Sequence, residues 1–291
     1  MRYDMPLYRP PSEGPNLILQ ATLGCSYNQC SFCSMYKSKT FVARPLDEVF
    51  ADIDAAALAW PDARRVFLAD GDAMVLPTER LEAIADRLAV RFPLLQRISV
   101  YATPGDLLRK GSDELVRLRA KRLSLVYLGI ESGSTEVLRR IAKGVTAERL
   151  AASLNKASEA GMKVSATVIL GAGGRRFAEE HATATARLIN QAPPAYLSTL
   201  QLMLADEAQT GFLDRWQGQF EPQDDAGILA EQRLLLEHLA PPRPVIFRTN
   251  HASNCLALAG TLPKDGPRLL AQVDAALSDA AWLRPAWLRG L

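Results

Sequence analysis

The chain has 291 residues, enough for one large α/β domain or two ordinary ones, and nearly half of them are apolar, which supports a sizeable core. A net charge of +2, from 34 basic against 32 acidic residues, leaves no basic footprint and argues against a nucleic-acid partner. No stretch approaches the roughly 18 apolar residues of a membrane span, and the polar, proline-rich residues 1–15 lack the apolar centre of a signal peptide, so no membrane association is expected and a reducing cytoplasmic compartment is.

After that N-terminal extension, Leu17-Ile18-Leu19-Gln20-Ala21-Thr22-Leu23 reads as a short buried strand. It runs into Gly24-Cys25-Ser26-Tyr27-Asn28-Gln29-Cys30-Ser31-Phe32-Cys33, which places three of the four cysteines within nine residues. A helix is expected over 46–60, ended by Pro61, then a strand over 66–69 that leads into Asp70-Gly71-Asp72. A second helix spans about 78–92 and a third strand 98–102, followed by Thr103-Pro104-Gly105. Ser112 is expected to cap the next helix, and a fourth strand over 123–128 runs into Gly129-Ile130-Glu131-Ser132-Gly133-Ser134.

The rhythm then repeats. Thr146 is expected to cap a helix reaching Ala160, with Gly161 at its C-terminal end. A fifth strand over 164–170 ends in Gly171-Ala172-Gly173-Gly174, a helix covers 178–190, and a sixth strand covers 196–204. Beyond it the pattern weakens: helices are expected near 212–220 and 229–239, a strand over 245–248, and a closing helix over 269–277. Six buried-looking strands alternating with helices predict a parallel α/β sheet or barrel.

In such folds the active site lies at the C-terminal ends of the strands. The chemically interesting residues fall there: the cysteine loop, Asp70 to Asp72, Thr103, Glu131 and Ser132, Gly171 to Gly174, and 201–203. Three thiolates on one loop can hold a metal or an iron–sulfur cluster by three corners and leave the fourth open for chemistry. A zinc-stabilised α/β protein is the alternative, with a fourth ligand from Cys255, His181, His238 or His251. A disulfide framework does not suit so long and cysteine-poor a chain.

The Cys25-x4-Cys30-x2-Cys33 loop, with Phe32 before the last cysteine, resembles the C-x3-C-x2-C signature of the radical S-adenosylmethionine superfamily, lengthened by one residue. Gly71-Asp72-Ala73 looks like a variant of that family's glycine-rich motif. The block from Gly129 to Ser134, with Lys143-Gly144-Val145-Thr146 downstream, is similar to the branch containing the oxygen-independent coproporphyrinogen oxidases. The resemblance implies a partial (β/α)6 TIM-like barrel over residues 16–205, with a C-terminal extension over 206–291. It implies a [4Fe–4S] cluster on Cys25, Cys30 and Cys33, with S-adenosylmethionine as cofactor. Cofactor contacts are implied for Phe32, Gly71, Asp72, Glu131, Ser132 and Gly171. Reductive cleavage of that cofactor, fed by a one-electron donor such as flavodoxin or ferredoxin, would start radical chemistry on an unidentified small or medium-sized substrate. A cluster protein used for electron transfer or sensing, without cofactor cleavage, is the remaining alternative within the fold.

Each residue also has a plainer reading. Asp72 caps the turn before the next helix, Glu131 pairs with an arginine, Ser132 caps the following helix, and the glycines after strand five form a flexible turn. Arg175 and Arg176 meet an anionic substrate or solvent, and Tyr27 and Asn28 shape the cysteine loop. His251 and Cys255 are catalytic candidates, as substrate contact, hydrogen-atom donor or metal ligand, against a packed loop. Asp113 with Arg117 and Glu136 with Arg140 read as solvated helix faces.

Overall fold

The unbroken apolar runs become enclosed strands of parallel sheet, buried on both faces as helix-covered sheets require. A computed structural model describes residues 3–290. The chain divides into two units, one made of the residues up to Asn28 with Met35–Leu128 and Lys156–Val164, the other of Gln29–Ser34, Gly129–Asn155 and the residues from Ser165 on.

The order through the first unit is β1 (Leu17–Gln20), a small ribbon of β2 (Thr22–Leu23) with β3 (Val42–Ala43), α1 (Leu46–Ala59), β4 (Arg65–Ala69), α2 (Thr78–Arg91), β5 (Arg97–Ala102), α3 (Pro104–Arg109), α4 (Ser112–Ala120) and β6 (Leu123–Glu131), whose residues from Gly129 belong to the second unit. β1, β4, β5 and β6 pair in parallel, with Leu17 opposite Val66, Val66 opposite Ile98 and Val100 opposite Val126. Phe67, Tyr101 and Tyr127 meet edge to face on neighbouring strands, with centroids 5.0–6.0 Å apart.

The chain continues through α5 (Thr135–Arg140), α6 (Ala147–Glu159), β7 (Lys163–Leu170), α7 (Ala178–Gln191), β8 (Tyr196–Gln201), α8 (Asp206–Trp216), α9 (Asp225–His238), β9 (Val245–Arg248), β10 (Ala259–Leu262) and α10 (Gly266–Ser278). In the second unit β7, β8 and β9 are parallel and β10 closes the edge antiparallel to β9. Among the described residues no helix is long and apolar enough to cross a membrane.

Several local expectations need correction. Thr103-Pro104-Gly105 is not a plain turn but the start of α3. Thr103 caps it, Pro104 sits where its missing N–H costs nothing, and the Asp106 carboxylate reaches back to the Thr103 N–H at 2.7 Å. Gly111, not Ser112, is the cap residue of α4, with the Glu114 carboxylate accepting its N–H. The helix following Ser132 is α5, and Ser134 caps it by accepting the Val137 N–H at 3.2 Å, so Ser132 is not the cap. β8 stops at Gln201 because the Gln201 N–H goes to the Asn254 side chain at 2.6 Å instead of to a strand. β10 was also unforeseen; its Ala-Gly-Thr-Leu sequence has no strand signature and depends on the β9 edge.

Candidate functional site

In the first unit, the chain around Cys25 is held from three sides. Gly24 takes a left-handed φ of +68°, and a Cβ there would press on the Thr40 carbonyl at 3.2 Å. Its N–H donates to Asp70 Oδ2 at 3.3 Å, which also accepts from Lys39 Nζ at 3.2 Å and Gln20 Nε2 at 3.4 Å. Burial pushes the Asp70 carboxyl above its ordinary value, and the Lys39 ammonium opposes that.

Gly71 is the second support. A Cβ on it would lie 2.6 Å from Cys25 Cβ and 2.8 Å from Cys25 Cα, so only glycine lets this segment run against the cysteine backbone. Asp72 is the third. Its Oδ1 accepts the Ser26 N–H at 2.9 Å and its Oδ2 accepts the Ser26 hydroxyl, locking the residue after Cys25. Asp72 makes no side-chain bond to the turn it precedes, so the capping alternative does not hold. Asn28, at φ +39°, donates from Nδ2 to the Tyr36 carbonyl at 2.8 Å and turns its N–H toward Cys25 Sγ at 3.5 Å, as expected of a loop-shaping residue.

The second half of the loop belongs to the second unit. The Cys33 N–H donates to the Cys30 carbonyl at 3.3 Å, and the Ser31 N–H donates to the Ile141 carbonyl at 3.0 Å. Phe32 packs against a buried cluster of Val137, Ile141, Ile169, Ala172, Phe212 and Trp216. Glu131 ends β6 at φ +59°, nearly buried, with its Oε1 2.8 Å from Lys143 Nζ. The ion-pair reading of Glu131 was therefore right in kind, but the partner is Lys143 and not an arginine. Gly129 makes room for the pair, since a Cβ there would come within 2.9 Å of Lys143 Nζ. Burial alone would lower the Lys143 ammonium. The Glu131 carboxylate, with Cys30 and Cys33 adding to it, outweighs burial and raises it.

Ser132 is fully buried. Its Oγ meets His181 Nδ1 at 2.7 Å and accepts the Ser134 N–H at 2.9 Å. Gly171 closes β7 at φ +80° and donates its N–H to Glu231 Oε1 at 2.8 Å. That oxygen lies 3.5 Å from His181 Nε2. Burial lowers His181 to about 4, against a weaker opposing contribution from the Ile169 carbonyl. Burial raises Glu231 to about 7, against the donors Gly171 and Gln223. Glu180, next on α7, accepts from the Ser134 hydroxyl.

The loop after β9 is a packed loop. Asn254 donates from Nδ2 to the Thr199 and Thr249 carbonyls at 2.7 and 2.8 Å, and Gln201 Oε1 accepts the Cys255 N–H at 3.3 Å. His251 Nδ1 meets the Ser253 hydroxyl at 2.9 Å, and burial lowers its imidazole. Cys255 is buried, and burial pushes its thiol up. His238 is exposed and bonds the Leu234 carbonyl on its own helix. Arg175 and Arg176 are tied to Asp224 and Gln219 at the surface. Arg117 is a solvated partner of Asp113, but Arg140 is not solvated: besides Glu136, it stacks on Phe177 and Trp216 at 5.0 Å from each ring.

Ser26, Lys143, Glu231 and Gln223 escaped the sequence reading as working residues, and His181 was weighed only as a zinc ligand. Lys143 had a signal, since it opens the Lys143-Gly144-Val145-Thr146 block; the others gain meaning only through partners distant in the chain.

The donor set suits an iron–sulfur cluster: three half-buried thiols on one short loop, with a cation beside two of them. The fit rests on donor type and spacing, because among the described residues no three His, Cys, Asp or Glu side chains are grouped for a metal ion.

Comparison with known proteins agrees. A family model described as the Radical SAM superfamily matches residues 19–189. A Methanocaldococcus jannaschii protein provisionally named a methylthiotransferase is 25% identical over 167 residues, 54% of this chain and 36% of that protein. Among solved structures, methylornithine synthase aligns with a TM-score of 0.53 and 17% identity, over 78% of this chain and 63% of that one. Coproporphyrinogen III oxidase from Escherichia coli aligns with 0.51 and 17% identity, over 75% and 58%. A radical S-adenosylmethionine methyltransferase from Kitasatospora setae, with cobalamin and a [4Fe–4S] cluster bound, aligns with 0.50 and 18% identity, over 64% and 36%. The chain thus spans less than two thirds of each of these proteins, and the shared feature is the fold, an α/β partial barrel of parallel strands. With the family match extending over more than half its length, the chain belongs to the radical S-adenosylmethionine superfamily, whose enzymes use a [4Fe–4S] cluster and S-adenosylmethionine.

Proposed function

We propose that this chain is a radical S-adenosylmethionine enzyme that holds one [4Fe–4S] cluster on Cys25, Cys30 and Cys33 and acts on a small or medium-sized substrate. The observation that carries this reading is how much of the chain is committed to bracing one cysteine loop: Gly71 lies against Cys25, Asp72 grips Ser26, and Phe32 is packed into an apolar cluster. Three thiolate ligands leave one corner of a cluster for the cofactor. Held there and reduced, such a cluster would supply the one electron needed to cleave S-adenosylmethionine and start radical chemistry on the substrate.

The chain's own residues position and shield. Gly71 and Asp72 serve the cofactor by fixing the loop, and Asp72 reaches an ammonium only by releasing Ser26. Lys143 offsets the negative charge of Cys30 and Cys33, and Glu131 is the polar contact for the cofactor at the end of β6. Ser132 and Gly171, both buried, act by setting the strand-end backbone. Residues 16–205 carry the cofactor chemistry, with 206–291 as the C-terminal extension. A flavodoxin- or ferredoxin-like donor supplies the electron in a reducing cytoplasm. The methylthiotransferase activity named for the Methanocaldococcus jannaschii relative is not carried over, because Cys255 is the one cysteine of this sequence outside the loop, too few for a second cluster.

The test is anaerobic reconstitution with iron and sulfide, reduction, addition of S-adenosylmethionine and mass spectrometry of the products. 5′-Deoxyadenosine that disappears in Cys30→Ala supports the reading; a colourless, zinc-loaded protein that forms no cleavage product overturns it.

A further inference from the structure

Between Ser132 at the end of β6 and Gly171 at the end of β7 lies one buried line of polar groups: Ser132 Oγ meets His181 Nδ1 (2.7 Å), His181 Nε2, which has no hydrogen-bond partner among the described residues, faces Glu231 Oε1 at 3.5 Å, and Glu231 Oε1 accepts the Gly171 N–H (2.8 Å). All three side chains are at most 2% exposed. Nothing in the cofactor chemistry proposed above uses His181 or Glu231, yet a buried imidazole and a buried carboxyl are costly to keep unless they do something. The far oxygen of Glu231 accepts from Gln223 Nε2, which also reaches the Gly174 carbonyl at 3.4 Å, so the carboxyl holds both ends of the 171–174 turn. On the other side Ser132 Oγ holds the Ser134 N–H.

We infer that Ser132, His181 and Glu231 form a coupling element that locks the turn after β6 to the turn after β7, with His181 and Glu231 as positioning residues for the strand ends assigned to the cofactor. The coupling follows from the two nitrogens of one imidazole, once the unpartnered Nε2 closes the 3.5 Å to Glu231 Oε1. With Glu231 ionised, the ring carries its proton on Nε2 toward the carboxylate, and Nδ1 accepts the Ser132 hydroxyl. With Glu231 protonated, its O–H donates to Nε2, the ring proton moves to Nδ1, and Ser132 Oγ becomes an acceptor. One proton on Glu231 thus reverses the hydrogen bond made at Ser132, and a change at either turn is felt at the other.

Glu180 on α7 is engaged by Ser134, the exposed pair of Arg175 and Asp224 lies at the N-terminal end of α9, and on α9 itself Arg233 pairs with Glu237 and with Asp274 of α10. Glu231, raised to about 7 by burial, is the group that changes state near neutrality, while His181, lowered to about 4, stays neutral.

The cofactor purpose rests on the function proposed above, but the coupling does not, and it is measured on the unloaded chain. Amide hydrogen exchange is followed at Ser134 and Gly174 in Glu231→Ala and Ser132→Ala. Each substitution is expected to accelerate exchange about tenfold at the turn it does not touch as well as at its own. Glu231→Gln, which keeps the shape and one acceptor oxygen for the Gly171 N–H while Gln223 must turn its amide to meet the new NH2, is expected to retain most of the protection while abolishing a titration of the Gly171 amide shift with midpoint near 7 in the parent chain. Loosening confined to the substituted turn, or a Gly171 titration that survives Glu231→Gln, overturns the inference. Absence of cofactor cleavage in the reconstituted enzyme would count against the proposed function and leave this coupling result intact.

Discussion

The ends of β4 and β7 each rely on a buried carboxylate, and the two are built differently. Asp72, after β4, accepts the backbone N–H and hydroxyl of Ser26, donors that do not change state near neutrality. Glu231, beneath the turn after β7, accepts from a backbone N–H and an amide and faces an imidazole nitrogen at 3.5 Å. Burial raises both carboxyls. The first arrangement is a brace, which suits a loop whose thiols must stay in one place. The second can exchange a proton with its neighbour, which suits a turn that must respond. Glu131 is a third case, with a full cation opposite it in Lys143.

The strongest test of that ranking removes the cation. Lys143→Met leaves Glu131 nearly buried and unpaired, which is expected to cost about 3–5 kcal/mol in denaturant unfolding, and Glu131→Gln in the same chain should recover most of it. A small loss, with no rescue, would make Glu131 no different from Asp72.

Next in size is the pH response of the His181 and Glu231 pair. Glu231 is raised from 4.5 to about 7 by burial, so its contribution to stability is present below pH 4.5 and is lost as pH rises through about 7. His181 is lowered from 6.5 to about 4, so its contribution is present above pH 6.5 and is lost as pH falls through about 4. The two slopes oppose each other between pH 4.5 and 6.5 in the parent chain. His181→Gln is therefore expected to lose on the order of 3 kcal/mol from pH 4.5 to 7 relative to the parent profile. Glu231→Gln is expected to gain on the order of 3 kcal/mol from pH 4 to 6.5. Unfolding free energies measured at stepped pH decide this, and parallel profiles in both variants would contradict it.

Gly71→Ala sharpens the other side of the comparison. Its new Cβ would meet Cys25 Cβ at 2.6 Å and backbone at 2.8 Å, so about 1–3 kcal/mol of overpacking is expected, with reduced iron loading. Asp72→Asn is the mildest change: it keeps one acceptor for Ser26, and about 1 kcal/mol is expected, without a new pH dependence near neutrality.

Much of the fold was legible because its strands are local apolar runs and its helices end at Pro61, Pro93 and Gly161, signals carried within a few residues. α3 was hidden because Thr103-Pro104-Gly105 looks like a turn until Asp106 is recognised as the other half of a capping box. The cysteine loop was legible from spacing alone, and Gly71 from its place after β4. The coupling chain was not: Ser132 lies 49 residues from His181, and Gly171 lies 60 from Glu231. Such partners meet only once the strands have set their register, and no periodicity announces them.

On the proposed function, three cysteines hold a cluster with one corner left for S-adenosylmethionine. Electron paramagnetic resonance of the reconstituted, reduced protein, recorded before and after adding S-adenosylmethionine, tests it directly. A [4Fe–4S] signal whose g-values shift on addition, and which is absent in Cys30→Ala, is the predicted result; a signal indifferent to the cofactor, or no iron–sulfur signal at all, would contradict the account.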